Sequence, residues 1–287
     1  MIKLVGRIRR LSSKSVCESV EELDQIVLLQ ERLSKMYQEN EDLFDKLDVQ
    51  NIIRDKLYLR KFYVRKNKSI DKTIEMVRET LIWRKKKRIP HITASSVPRE
   101  IYDLGAFVSY KTDSDGNGVL YLRSKYLFFT DETRECLYRL LLAKVFALIE
   151  EGLVDNKGWV LFNDLTDISL SHFNPMEITN FLLIYQKYIP SRLSKIILYN
   201  VPWYAKYIIK TIIMLLPSEL RKITYSISKN QVEKLIPLEN LPLFITNPSI
   251  QFKPPFNPEV KDVDHCDHEL LGIKPEHKNA FKAIYAL

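Results

Sequence analysis

The apolar positions of the chain fall into two regimes, first a run spaced for helices and then an alternation of strand-like and helix-like segments. From Val20 to about Tyr37, Val20, Leu23, Ile26, Val27, Leu33 and Tyr37 recur at helical spacing. Asp42 to Lys68 continues as short helices, with Leu47, Ile52, Ile53, Leu57, Leu59 and Phe62 apolar. A better-marked helix opens near Ser69, an N-cap residue type, with Asp71 in the first turn. It carries Ile74, Val77, Leu81 and Trp83, runs into RKKKR at 84–88 and ends at Ile89 and Pro90. These segments predict an all-α N-terminal lobe.

The period changes after Pro98. Phe107 to Tyr110 reads as a strand, DSDGNG at 113–118 as a turn, and VLYLRS at 119–124 as a second strand. A long helix is predicted from Thr130, which would cap it, to Gly152, which would close it. GWVLFN at 158–163 is a buried strand by its near-continuous apolar run. Asn174, Pro175 and Glu177 supply an N-cap, a proline at N1 and a glutamate at N3 for a helix that breaks at Pro190. KIILY at 195–199 is a further buried strand, followed by a helix after Val201-Pro202-Trp203, a strand at Ile223 to Ile227 and a short helix at Val232 to Leu235. Strands alternating with helices predict an α/β fold with mostly parallel pairing.

The expected organisation is an N-terminal extension over 1–40, partly helical, a helical lobe over 41–98, an α/β lobe over 99–246 and a tail over 247–287. The tail has five prolines and little periodicity, so it is expected to wrap the surface or be mobile.

Composition narrows the function. Hydrophobic residues make up 46% of the 287 positions, enough for a sizeable core. Seven glycines argue against nucleotide-binding glycine loops. The net charge of +8 admits nucleic acid or an anionic membrane as partner. No zinc-finger spacing, basic zipper or stacking-aromatic pattern accompanies it, so no nucleic acid is expected. Cys17, Cys136 and Cys266 are scattered, an odd count that fits reduced thiols in a cytoplasmic protein. MIKLVGRIRRLSSKS is basic without a long apolar run, which argues against a secretory signal. The first acidic residue is Glu18, which keeps a mitochondrial leader open.

Candidate chemistry is sparse. His265, Cys266, Asp267 and His268 lack a further ligand at metal spacing, so no metal site is expected. Ser171, His172, Asp164 and Asp167 can be assembled into a triad on paper, but no G-x-S-x-G elbow presents a nucleophile. RKKKR reads either as a solvated helix end favoured by the helix dipole or as a contact for anionic headgroups. From Ile208 to Leu216 the helix is apolar nearly all round, interrupted by Lys210 and ended by Pro217. It falls short of the ~20 residues of a membrane span. Such a helix is either buried on both sides or is a lid between an apolar ligand and a bilayer.

Five segments, taken in order, resemble the CRAL-TRIO (Sec14-like) domain family. They are LYLRKFYVRKNKSIDKTIEMVRETLIWRKKKRIP, YKTDSDGNGVLYLRSKY, WVLFNDLTDISL, YIPSRLSKIILYNVPWYAKYIIKTIIMLLPSELRKI and VEKLIPLENLP, spanning about residues 45–245. The resemblance implies a bilobal fold: a helical lobe packed on an α/β lobe whose sheet floors a lipid pocket, with a gate helix at Pro202 to Pro217. It implies no catalysis and no cofactor, only a bound lipid, phosphatidylinositol or another small lipid. The alternative is a protein-binding or membrane-contact scaffold with an idle pocket. The pocket residues expected are Leu161, Phe181, Tyr185, Ile197, Ile208 and Ile212. An anionic headgroup would meet Lys66, Arg192 and Lys222, the part of the Sec14-type basic set kept here. The hydroxyl pair that holds phosphatidylcholine in that family falls on Trp159 and Leu161. A cytoplasmic monomer in transient contact with anionic membranes, peripheral on endomembranes, is the expected setting.

Overall fold

A computed structural model of the chain describes residues 20–151, 157–172, 174–247, 250 and 252–285. The basic lead over 1–18, with Cys17, and the helix-closing Gly152 lie outside them. Three helices build the N-terminal lobe: α1 (Val20–Glu39), α2 (Lys56–Arg65) and α3 (Ile70–Lys86). Ile26, Leu29 and Leu33 form one stripe of α1 and are fully buried with Leu59, Phe62, Val77 and Leu81. Buried Glu22 accepts from Arg60 of α2 at 2.5 Å and from Lys68 at 3.0 Å. The helix that the sequence places in an extension is therefore part of the lobe's core.

Asp55 caps α2, its carboxylate accepting from the backbone N–H of Leu57 at 2.8 Å and of Tyr58 at 3.1 Å. Asp55→Ala is expected to cost about 1 kcal/mol by orphaning those donors. Chemical denaturation should show a lower midpoint with an unchanged slope. Ser69 borders α3 as read from the sequence, but its side chain makes no cap hydrogen bond.

The second lobe is a five-stranded sheet: β1 (Phe107–Thr112), β2 (Gly118–Arg123), β3 (Trp159–Asp164), β4 (Leu193–Tyr199) and β5 (Thr224–Ile227). The strands lie in sequence order; β1 and β2 are antiparallel and the remaining pairs parallel. The β1–β2 turn is fixed by Asp113, whose Oδ1 accepts from the N–H of Asp115 at 3.0 Å and of Asn117 at 2.8 Å, with Gly116 at φ +81. Three crossover helices follow: α4 (Arg134–Glu151), α5 (Pro175–Tyr188) and α6 (Lys206–Leu215). Helix α4 starts four residues later than the sequence predicts. The segment before it is a turn in which the Thr133 hydroxyl bonds to the Phe128 carbonyl and to the Thr130 N–H, so Thr130 is not the cap.

Parallel strands joined in sequence order by crossovers of one hand put their helices on one face of the sheet. The side-chain clusters agree. Leu120, Leu122, Leu161 and Ile196 pack with α4 and α5 residues such as Leu137, Leu141, Phe181 and Tyr185. Val119, Tyr121, Val160, Phe162, Ile197 and Tyr199 face the other way, onto Val232, Ile236, Leu241, Phe244 and Ile245.

The lobes are joined through α3. Trp83 stacks on Tyr188 with ring centroids 4.5 Å apart and planes 6° from parallel. Arg84 is buried, paired with buried Asp48 at 2.8 Å and lying 4.0 Å over the Phe146 ring of α4. Two more residues of RKKKR, Lys87 and Arg88, also reach out of the lobe, and Lys85 bonds within it. Lys85 donates to the Asp42 carbonyl, Lys87 pairs with Glu135 at 2.7 Å and Arg88 with Glu269 at 3.2 Å.

The tail is a correction to the sequence reading. Val263, Leu271, Phe281 and Tyr285 enter the main core, and residues 278–285 form helix α7 (Lys278–Tyr285). The Arg99 N–H donates to the Lys261 carbonyl at 2.8 Å, and the Glu100 carboxylate accepts from the Val263 N–H at 3.0 Å. Prolines break the pattern before Val260, but Leu270, Leu271, Ile273, Phe281 and Tyr285 still present an apolar stripe to bury.

Candidate functional site

The helix-covered face of the sheet is not filled to its end. Between β2–β4, α4, α5 and α6 lies a cavity, with about 1170 Å³ of space not occupied by atoms when its opening to solvent is counted. Its floor is Leu122, Leu161, Ile196 and Leu198 from the strands. Helix α5 contributes Ile178, Phe181 and Leu182, and α6 contributes Ile209, Ile212 and Ile213, with Leu216 just beyond it.

Alternation along a strand and the 100° step of a helix decide which residues reach this space. Of the residues expected to line it, Leu161, Phe181 and Ile212 do. Ile197 does not: one residue along β4 changes the face, so Ile196 and Leu198 take the floor while Ile197 is buried behind the sheet. Ile208 lies beside the stripe of Ile209, Ile212, Ile213 and Leu216 at i, i+3, i+4 and i+7, and is off the wall. Tyr185 is buried one turn past Phe181, where its hydroxyl accepts from the Leu193 N–H at 3.0 Å and Arg65 lies 4.9 Å over its ring.

The three headgroup cations are likewise off the wall. Lys66 follows α2 as its C-cap, Arg192 is exposed before β4, and Lys222 is exposed at the end of the short helix Ser218–Lys222. Trp159 is buried in the main core beside Tyr185, their rings at 6.3 Å.

The polar groups on the wall are ones the sequence did not single out as ligand contacts: Ser124, Tyr138, Asn163, Asn174, Glu177 and Thr224, together with His172. The Ser124 hydroxyl bonds to the Asn163 side-chain oxygen. His172 is held at both nitrogens. Its Nδ1 accepts from the Ser169 N–H at 3.1 Å, which leaves the ring hydrogen on Nε2, donating to the Lys125 carbonyl at 3.1 Å. Ser171 bonds to Ser169 rather than to the ring, and burial pushes the Asp164 carboxyl up while it accepts from the Thr166 N–H at 3.0 Å. No Ser-His-Asp relay is assembled among the described residues. In the tail, His265 bonds to Asp262 at 2.7 Å and Cys266 to the Val263 carbonyl, and no group of residues that could hold a metal ion occurs among those described.

Helix α6 is apolar toward the cavity, and its outer side exposes Tyr207, Met214 and Leu215 among Lys206, Lys210 and Thr211. Ile209 and Leu216 are buried, whereas Trp203 is 81% exposed, Tyr207 82% and Leu215 78%. The helix is thus not a core helix, because its outer face is uncovered. No helix among the described residues is long and apolar enough to cross a membrane.

The model of the CRAL/TRIO domain family matches residues 102–245, half of the 287-residue chain, and the chain belongs to that family. Members of that family are generally lipid-binding or lipid-transfer proteins rather than enzymes. The crystal structure of Sfh5 is similar, with a TM-score of 0.52 at 16% identity over 76% of this chain and 84% of that one. At that identity the likeness is one of fold, and it agrees with the mixed, mostly parallel sheet described above.

Proposed function

We propose that this protein holds one lipid molecule, without catalysis, in the cavity between the sheet and α6, and that α6 is the gate. The observation that carries the reading is the wall itself. An apolar space is closed on one side by a helix whose inner face is apolar toward the cavity and whose outer side leaves Tyr207, Met214 and Leu215 exposed to solvent beside Lys206 and Lys210. Burial of a hydrocarbon chain there is worth ~0.8 kcal/mol per methylene. The outer residues Trp203, Tyr207, Met214 and Leu215, beside Lys206 and Lys210, suit contact with an anionic membrane during exchange.

Phosphatidylinositol fits less well than the family resemblance implies. Lys66, Arg192 and Lys222 are not on the wall, and among the described residues the charged one on it is an acid, Glu177. An inositol phosphate headgroup would sit outside the described cavity. The setting we infer is a cytoplasmic monomer, peripheral on endomembranes. SYKTDSDGNGVLYLRSKY, RLSKIILYNVPW and ISKNQVEKLIPLENLP point further, to a domain of the kind found in motile sperm domain-containing protein 2.

Native mass spectrometry of the purified protein, with extraction and identification of what is released, tests the reading. A stoichiometric lipid is expected. Protein that is empty in repeated preparations and takes up no lipid from liposomes would sink it in favour of a scaffold with an idle pocket.

A further inference from the structure

Strand β3 turns Trp159, Leu161 and Asn163 toward the helix-covered side of the sheet, by the alternation that turns Val160 and Phe162 away. Asn163 pairs in register with Leu122 of β2 and Leu198 of β4, and all three are on the cavity wall. A partly exposed carboxamide thus stands between two leucines of the floor. Its oxygen receives the hydrogen of the Ser124 hydroxyl. Turned the other way, the amide would leave that hydrogen with no acceptor among the described residues. The Asn163 Nδ2 has no hydrogen-bond partner among the described residues and is not one of their solvent-sealed polar atoms. Its two hydrogens are therefore open to the space in front of the floor.

The hydroxyl and ring hydrogens of the wall are already spent on the protein. Thr224 donates to the Leu220 carbonyl at 2.8 Å, Tyr138 to Glu177, and His172 Nε2 to the Lys125 carbonyl at 3.1 Å. Asn174 also carries amide hydrogens, but it sits at the start of α5 rather than on the floor, its oxygen accepting from the Met176 N–H at 3.1 Å. No lysine or arginine is on the wall among the described residues, and Glu177 is paired with Arg134 at 2.7 Å. We propose that Asn163 Nδ2 donates to the ligand, and that the ligand is an uncharged lipid whose polar group is a carbonyl, as in an ester or a ketone. This rests on the reading of the cavity as a lipid site. A carbonyl carried from water into an apolar space loses its donors and is penalised unless it meets one there, and Asn163 is the donor that the floor offers. A hydroxyl would bring a hydrogen of its own to a carboxamide whose oxygen Ser124 already occupies. A phosphate would bring a charge to a wall that holds no cation to pair with it.

The test delivers four probes of equal chain length from cyclodextrin to delipidated protein and counts what is bound by native mass spectrometry. The probes are hexadecyl methyl ketone, the secondary alcohol obtained by reducing it, octadecane and octadecyl phosphate. The ratio of ketone to octadecane bound is expected to be roughly two- to tenfold higher for the unaltered protein than for Asn163→Leu, the contribution of a neutral hydrogen bond. Affinity for the carrier cancels in that comparison. A second readout needs no variant: the infrared carbonyl stretch of the bound, isotope-labelled ketone should lie below its position in an alkane solvent. An unshifted stretch, or equal ratios in the two proteins, overturns the inference and leaves the lipid reading intact, because the probes are bound. A shift that survives in Asn163→Leu and is lost in Asn174→Leu assigns the contact to Asn174 and overturns it. An alcohol preference that depends on Asn163, or phosphate bound ahead of the ketone, overturns the assigned class. Protein that binds none of the probes, and takes nothing from vesicles of phosphatidylcholine and phosphatidylinositol, fails the lipid reading itself.

Discussion

Arg84→Ala is expected to destabilise the protein by about 3–5 kcal/mol at neutral pH, the cost of leaving one member of a buried ion pair alone. Asp48 would be the residue left behind. It is fully buried, and Arg84 reaches both its oxygens, at 2.9 and 3.0 Å from Nε. Burial already pushes the Asp48 carboxyl up, against the pull of Arg84, and removal of the cation would push it further. The pH dependence of the loss follows from this. A carboxyl whose pKa is raised in the folded state binds protons there that the unfolded chain has released. Stability then rises as the pH falls, until the unfolded value near ~4 is reached. The deficit of Arg84→Ala should therefore narrow between neutral pH and about pH 5, whereas a deficit from lost packing alone would not. Adding Asp48→Leu to Arg84→Met, which removes both charges, is expected to recover most of the loss. Denaturant melts of the three variants at two pH values check this; a loss that is the same at both pH values and persists in the double variant would contradict it.

Ile212→Asp is expected to reduce lipid recovery and uptake by roughly ten- to a hundredfold, because a carboxylate on an apolar wall must either stay ionised next to hydrocarbon or take up a proton at a cost. Ile212 is one of the wall residues anticipated from the sequence that the structure does place on the cavity. Leu215→Asp is the matched control on the same helix. It adds the same charge to the outer, 78% exposed side, so it should leave a lipid already in the cavity in place and slow only delivery from vesicles. Lipid recovery from purified protein and the rate of uptake from liposomes separate the two. Unchanged uptake in a normally folded Ile212→Asp protein would remove α6 from the role of gate.

The fold was legible from the sequence to different depths in different places. The central strands are legible because a short apolar run bounded by turn residues suits a buried strand and is too short for a helix. GWVLFN and KIILY lie within one or two residues of β3 and β4. The start of α4 is ambiguous in sequence because threonines at 130 and 133 offer the same capping chemistry, and hydrogen bonds to Phe128 favour a turn over another helical residue. The order of the tail is hidden because its prolines conceal the spacing of Leu270, Leu271, Phe281 and Tyr285, residues whose burial depends on what they meet. RKKKR suits a solvated helix end or a headgroup contact equally. Its pairings with Asp48, Glu135 and Glu269 come from segments between about 35 and 185 residues distant, and no local pattern announces them.

The sequence by itself determined that a helical lobe precedes an α/β lobe, that the sheet is mostly parallel, and that the helix before Pro217 is apolar nearly all round, interrupted by Lys210. Those properties follow from periods of two and 3.6 residues, which are local. Tertiary structure decided which side of each period meets the cavity. It put Ile196 and Leu198 on the floor in place of Ile197, and Ile209 and Ile213 on the wall in place of Ile208. It also moved Glu177 from a helix cap to Arg134 and the cavity, since a carboxylate's partner is set by what the fold brings within reach. The helix before Pro217 has one face toward the cavity and the other open to solvent, a distinction that depends on the surrounding fold rather than on the order of its residues.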